Sequence, residues 1–114
     1  MEAKFSNVNP TSEIFATENF GPIVAITTFK TDAQALDLAN AGNAGLMAYF
    51  CTRDLTKAFD VSKEMTTGMV GVNEGILSTA YAPFGGVGES GIGREGGDEG
   101  IREYLHKKYV MLNY

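Results

Sequence analysis

Residues Ala82 to Gly97 read Ala-Pro-Phe-Gly-Gly-Val-Gly-Glu-Ser-Gly-Ile-Gly-Arg-Glu-Gly-Gly, with seven glycines in sixteen positions. No regular helix or strand tolerates that density, because each glycine surrenders more backbone entropy on ordering than any other residue. Such a stretch is either a flexible linker or a loop of defined shape. Flexible linkers are Gly/Ser-rich and lack apolar anchors. Phe84, Val87, Ile92 and Arg94 interrupt this one, so it reads as a shaped loop.

At 114 residues the chain holds one domain at most. Its 44% hydrophobic and 20% charged content is that of a soluble globular protein. A net charge of −5 argues against nucleic acid and against an anionic membrane as partner. The single Cys51 excludes an internal disulfide and suits a reducing cytosol, so a cytoplasmic location is expected. No apolar run approaches the ~18–20 residues of a membrane span, and no signal-peptide pattern opens the chain.

Residues 1–21 carry turn signals at Asn7-Val8-Asn9-Pro10 and read as irregular, with one short extended piece at most. Ile23 to Phe29 is β-branched and apolar, which suits a buried strand. Thr31-Asp32-Ala33-Gln34 forms a capping box and starts a helix that runs to about Ala41. Leu46 to Cys51 is a second strand candidate. Asp54 then caps a helix with Leu55, Ala58, Phe59, Ser62 and Met65 at helical spacing. Met69 to Asn73 is a third strand. The expected fold is therefore α/β: a β-α-β-α-β parallel sheet with right-handed crossovers. The glycine-rich loop, a helix over about Asp98–His106 and a strand-like tail at Tyr109–Tyr114 complete it. A tail strand without a partner in its own unit tends to find one elsewhere, often on another subunit.

The pattern G-x-G-x-x-G occurs at Gly86/Gly88/Gly91 and again at Gly91/Gly93/Gly96. A dinucleotide fingerprint must leave a strand directly and open a helix, so that free N–H groups meet the pyrophosphate. The nearest strand candidate here ends at Asn73, well upstream, and no acidic residue follows at the required distance. Overlapping matches in a glycine-rich segment arise by chance, so an independent nucleotide-binding domain is the weakest of the readings.

Three motifs, taken in order, resemble the C-terminal part of an aldehyde dehydrogenase. They are Glu18-Asn19-Phe20-Gly21-Pro22, Pro83-Phe84-Gly85-Gly86, and Ser90-Gly91-Ile92-Gly93-Arg94-Glu95. The resemblance runs from about Phe5 to Tyr114. Gly71-Val72-Asn73-Glu74-Gly75-Ile76-Leu77-Ser78, with Gly93-Arg94-Glu95-Gly96 and Glu103-Tyr104-Leu105, is similar to the succinate-semialdehyde branch. The resemblance implies oxidation of an aldehyde through a cysteine thiolate, with hydride passing to NAD or NADP and water releasing the acid. It also implies that the cysteine, the general-base Glu and the N-terminal NAD(P)-binding domain lie upstream. Residues 1–114 are then expected to be the C-terminal part of the catalytic domain, and inactive alone.

By the same resemblance, Glu18 accepts hydrogen bonds from the nicotinamide-ribose hydroxyls and Phe20 packs near the nicotinamide. A carboxylate accepts both hydroxyls of a diol, and an aromatic face excludes water beside a hydride donor. Without the motif, a solvated Glu and a core Phe would be the better reading. Ser78 matches a position that contacts the remote carboxylate of the substrate; its plain alternative is a turn serine. Phe84 matches the aromatic that lines the aldehyde tunnel, against plain packing.

Other residues are expected to be structural. Glu95 complements the dipole of the last helix, and Arg94 ties the glycine loop to the body through carboxylates. Cys51, inside an apolar strand with no flanking His, is expected to be inert. His106 sits with Lys107 and Lys108 on a helix end, where a cation is favoured. No residue set has metal-ligand spacing. The parent enzyme is expected to use NAD or NADP, with none bound to this piece, and to act on a small aldehyde. The alternative is a folded module without chemistry that self-associates through its tail strand.

Overall fold

Local signals are honoured where they are strongest. Thr31 caps a helix over Asp32–Ala39, its Oγ1 accepting from the Gln34 amide at 3.2 Å. The Gln34 side chain reaches one residue past the cap and accepts from the Lys30 amide at 2.8 Å. Asp54 caps a helix over Leu55–Glu64, its Oδ1 accepting from the Thr56 and Lys57 amides at 2.9 and 3.2 Å. Each cap satisfies donors that the first helical turn leaves free.

These elements come from a computed structural model, which describes residues 2–114. In chain order they are β1 (Ala3–Phe5), α1 (Glu13–Ala16), β2 (Ile23–Ala25), α2 (Asp32–Ala39), β3 (Ala44–Gly45), β4 (Met47–Phe50), α3 (Leu55–Glu64), β5 (Met69–Val72), β6 (Val87–Gly88) and α4 (Gly97–Arg102). The chain divides into two units, Met1–Gly42 and Asn43–Tyr114.

In the first unit β1 and β2 pair in parallel, Ala3 opposite Ile23 and Phe5 opposite Ala25. In the second, β4 and β5 pair in parallel, Met47 opposite Met69 and Phe50 opposite Val72, with α3 as their crossover and packed on β5. The short β3 and β6 pair antiparallel, Gly45 opposite Val87.

Parallel pairing and alternating helices and strands are as expected, but the single β-α-β-α-β sheet is not what forms. The described residues make three two-stranded sheets, and the partner of β2 is β1. Glu2-Ala3-Lys4-Phe5 has no apolar run to mark it as a strand, yet its backbone groups suffice for a ladder. The last helix is also shorter than expected. It ends at Arg102, where tight bonds from Tyr104 to Ile101 and Leu105 to Arg102 close the turn. His106 thus lies beyond the helix rather than at its end. The tail from Tyr109 to Tyr114 is exposed and takes no ladder bond within the described residues. A strand is defined by its partner, and a lone extended segment is not one.

Among the described residues no apolar side chain is fully buried. Half-buried apolar residues on or beside β4, α3 and β5 include Met47, Phe50, Val61, Met65, Met69 and Val72, and the first unit has its own in Ile14, Phe15, Leu36 and Leu38. Gly45, Gly71 and Gly86 are the buried residues, each at a point where other atoms come too close for a side chain.

Candidate functional site

The glycine loop is shaped, and other parts of its own unit shape it. Phe84 and Glu95 exchange both backbone hydrogen bonds, at 2.7 and 2.8 Å. Upstream of that bridge, the Gly97 amide donates to the Ala80 carbonyl at 3.0 Å. Gly96 and Gly97 both have positive φ, 67° and 54°, and a Cβ on Gly96 would stand 2.8 Å from the Ala82 carbonyl oxygen. A side chain at that backbone conformation would be strained and would also collide. Downstream, β6 lies on β3, and the Ser90 hydroxyl accepts from the Gly45 amide at 2.9 Å.

Arg94 is half-buried, and its Nη1 donates to the carbonyls of Gly86 at 2.7 Å and Gly93 at 2.8 Å. Its partners are carbonyls rather than the carboxylates expected. These contacts border an open, shallow pocket of about 410 Å³ whose lining includes Leu46, Phe84, Ser90, Ile92, Arg94 and Glu103. Phe84 is half-buried at its wall.

Three of the glycines that match a nucleotide fingerprint, Gly86, Gly88 and Gly96, are backed by protein atoms, whereas Gly91 faces open space. A Cβ on Gly86 would meet Ser90, and one on Gly88 would meet the Asn43 carbonyl. Gly91/Gly93/Gly96 leads into α4, but only after a loop and not from a strand. The geometry fits packing glycines.

Ser78 lies in the irregular segment after β5. It is exposed, and its hydroxyl has no hydrogen-bond partner among the described residues. The same unit thus holds Ser78 and Phe84, on either side of the Thr79–Pro83 segment that Gly96 and Gly97 support.

Glu18 and Phe20 belong to the first unit. Their loop is held at both ends. The Asn19 side-chain amide donates to the Thr17 carbonyl at 2.8 Å, and the Pro22 carbonyl accepts from the Ala3 amide at 2.8 Å. Between these anchors the Gly21 amide bonds back to the Asn19 carbonyl at 2.9 Å, a turn that leaves Phe20 96% exposed. Glu18 is exposed, and its carboxylate has no partner among the described residues. Both side chains are therefore free to meet a ligand, and a carboxylate with all its acceptor capacity open suits a diol.

Cys51 is exposed and stands one residue past the end of β4, not inside the strand as expected. Among the described residues, no group of three His, Cys, Asp or Glu is placed to hold a metal ion. No helix there is long and apolar enough to cross a membrane.

Residues 4–110 match the model of the aldehyde dehydrogenase family. This chain belongs to that family. It is 48% identical over 107 residues to the succinate-semialdehyde dehydrogenase of Paenarthrobacter nicotinovorans, covering 94% of this chain and 24% of that protein. It is 47% identical over 106 residues to the mitochondrial succinate-semialdehyde dehydrogenase of Oryza sativa, covering 93% of this chain and 20% of that protein. The betaine aldehyde dehydrogenase of Staphylococcus aureus, solved in complex with NAD+, superposes with a TM-score of 0.90 at 37% identity, over 94% of this chain and 21% of its own. The chain thus spans no more than about a quarter of the relatives it matches.

Proposed function

We propose that this chain supplies walls of the active site in an NAD(P)-dependent aldehyde dehydrogenase that oxidises succinic semialdehyde to succinate. The observation that carries the reading is the match of 48% identity over 94% of the chain to a succinate-semialdehyde dehydrogenase. The nicotinamide cofactor, when bound, takes up the hydride that leaves the aldehyde carbon. Glu18 accepts hydrogen bonds from the cofactor's ribose hydroxyls, and the exposed ring of Phe20 shields the nicotinamide from water. Phe84 forms an apolar wall beside the aldehyde, lowering the local activity of water. The Ser78 hydroxyl donates to the remote carboxylate of the semialdehyde. The reacting thiolate and its base come from sequence upstream of this segment, so the chain alone turns over no aldehyde. The compartment that fits a lone exposed thiol is the cytoplasm.

A chimera tests the assignment: the Paenarthrobacter nicotinovorans enzyme with its matching 107 residues replaced by those of this chain. Glu18→Gln should raise the KM for the cofactor and leave that for the aldehyde in place. Ser78→Ala should raise the KM for succinic semialdehyde and leave that for butanal, which lacks the carboxylate. Equal effects on both aldehydes would remove Ser78 from the carboxylate site.

One observation favours a second role. Tyr109, Val110, Met111, Leu112 and Tyr114 are all exposed, and the segment has unpaired backbone groups. We infer self-association by strand pairing of this tail. A mass measurement in solution that gives a monomer at high concentration would count against it.

A further inference from the structure

Arg94 grips the turn that carries Phe84. Its Nη1 bonds to the Gly86 carbonyl at 2.7 Å and to the Gly93 carbonyl at 2.8 Å, joining two segments across the loop. The stem of the side chain runs against Gly85, where an added Cβ would stand 2.7 Å from Arg94 Cδ and 2.5 Å from the Gly93 carbonyl oxygen. On the other side, Phe84 is bonded in both directions to the backbone of Glu95. Two consecutive residues thus hold the turn: Glu95 through the main chain at Phe84, and Arg94 through its side chain at Gly86. Arg94 and Phe84 line the same pocket. Hydrogen bonds from a charged donor are short and strong, and a guanidinium fixes its acceptors in a plane as an ammonium does not.

We propose that Arg94 is a positioning residue for the aldehyde: through the Gly86 carbonyl it sets where the Phe84 wall stands, without itself touching substrate. The proposal rests on the reading of Phe84 as a substrate wall. Gly85 is part of the device, since any side chain there would displace the arginine stem.

The chimera described above carries the test, as Arg94→Met, Arg94→Lys, Phe84→Ala and the double variant Arg94→Met/Phe84→Ala. Arg94→Met is expected to raise the KM for succinic semialdehyde by about tenfold, the size of one lost charge-assisted bond, with the cofactor KM within about twofold. Arg94→Lys should show a smaller rise, because the ammonium reaches one carbonyl. In the Phe84→Ala background, Arg94→Met should move the aldehyde KM by less than about twofold, since the wall it positions is gone. The proposal is overturned if the full effect persists beside Phe84→Ala, or if the aldehyde and cofactor KM values rise together. Should Arg94→Met not fold, Arg94→Lys is read in the same cycle against Phe84→Ala. An unsubstituted chimera that oxidises no aldehyde sinks the functional reading as well; an active one with additive effects sinks the positioning role alone.

Discussion

The side-chain amide of Asn73 is bonded to both backbone groups of Thr52. Asn73 Oδ1 accepts from the Thr52 amide at 2.9 Å, and its Nδ2 donates to the Thr52 carbonyl at 2.7 Å. The Asn73 amide meanwhile donates to the Phe50 carbonyl at 2.9 Å. A side chain here imitates the next rung of the β4–β5 ladder after the strands themselves have ended. Asn73 has φ 56°, a left-handed conformation that asparagine accepts more readily than most residues. The bond pair holds together the two chain exits, toward Cys51 on one side and toward Ser78 on the other.

Replacing Asn73 with Ala removes both bonds and retains a Cβ at positive φ. Hydrogen exchange of the Thr52 amide should then accelerate by roughly tenfold or more, the loss of a net stabilisation of about 1–3 kcal/mol. Asn73→Gly should relieve the backbone but not restore the protection. Unchanged exchange in Asn73→Ala would show that the rung contributes nothing.

Gly68 and Gly75 lie a few residues apart and should respond oppositely to alanine. A Cβ on Gly68 would run into the Gly85 carbonyl, whereas one on Gly75 would meet nothing within 4 Å. Gly68→Ala should lower the urea midpoint by the equivalent of about 2 kcal/mol, as a steric clash at a close approach does, and Gly75→Ala by less than about 0.5 kcal/mol. Equal midpoints would mean that the glycine loop does not rest on the turn before β5.

Cys51 offers a chemical check on the site assignment. Exposed beyond the end of β4, it should react with a thiol reagent in the absence of denaturant. Cys51→Ser in the full-length chimera should leave aldehyde oxidation intact if, as proposed, the reacting sulfur comes from outside this segment. Loss of turnover in Cys51→Ser would place the chemistry on this chain.

Caps and crossovers were legible in the sequence because they are local. Thr31 with Gln34, and Asp54 before Leu55, announce their helices within four residues, and β4, α3 and β5 follow from short apolar runs separated by an amphipathic one. The ladders of β1, β3 and β6 were not legible. Ala44-Gly45 and Val87-Gly88 have no strand pattern; they pair because glycines let the loop come close. The partners of Arg94 escaped for a related reason, since a backbone carbonyl acceptor leaves no mark on composition. Cys51 was misplaced because an apolar residue one step past a ladder looks like one more rung. Phe20 and Glu18 could be picked out only as a motif, because an exposed Phe and a solvated Glu carry no physical signal of their own.

The most direct measurement is formation of reduced nicotinamide from succinic semialdehyde, made on this chain alone and on the chimera that supplies the other three-quarters or so of the Paenarthrobacter nicotinovorans enzyme. The account predicts no turnover by the isolated chain and clear turnover by the chimera, with cofactor affinity weakened by Glu18→Gln. Turnover by the isolated chain, or an intact, folded chimera that leaves the semialdehyde untouched, would contradict it.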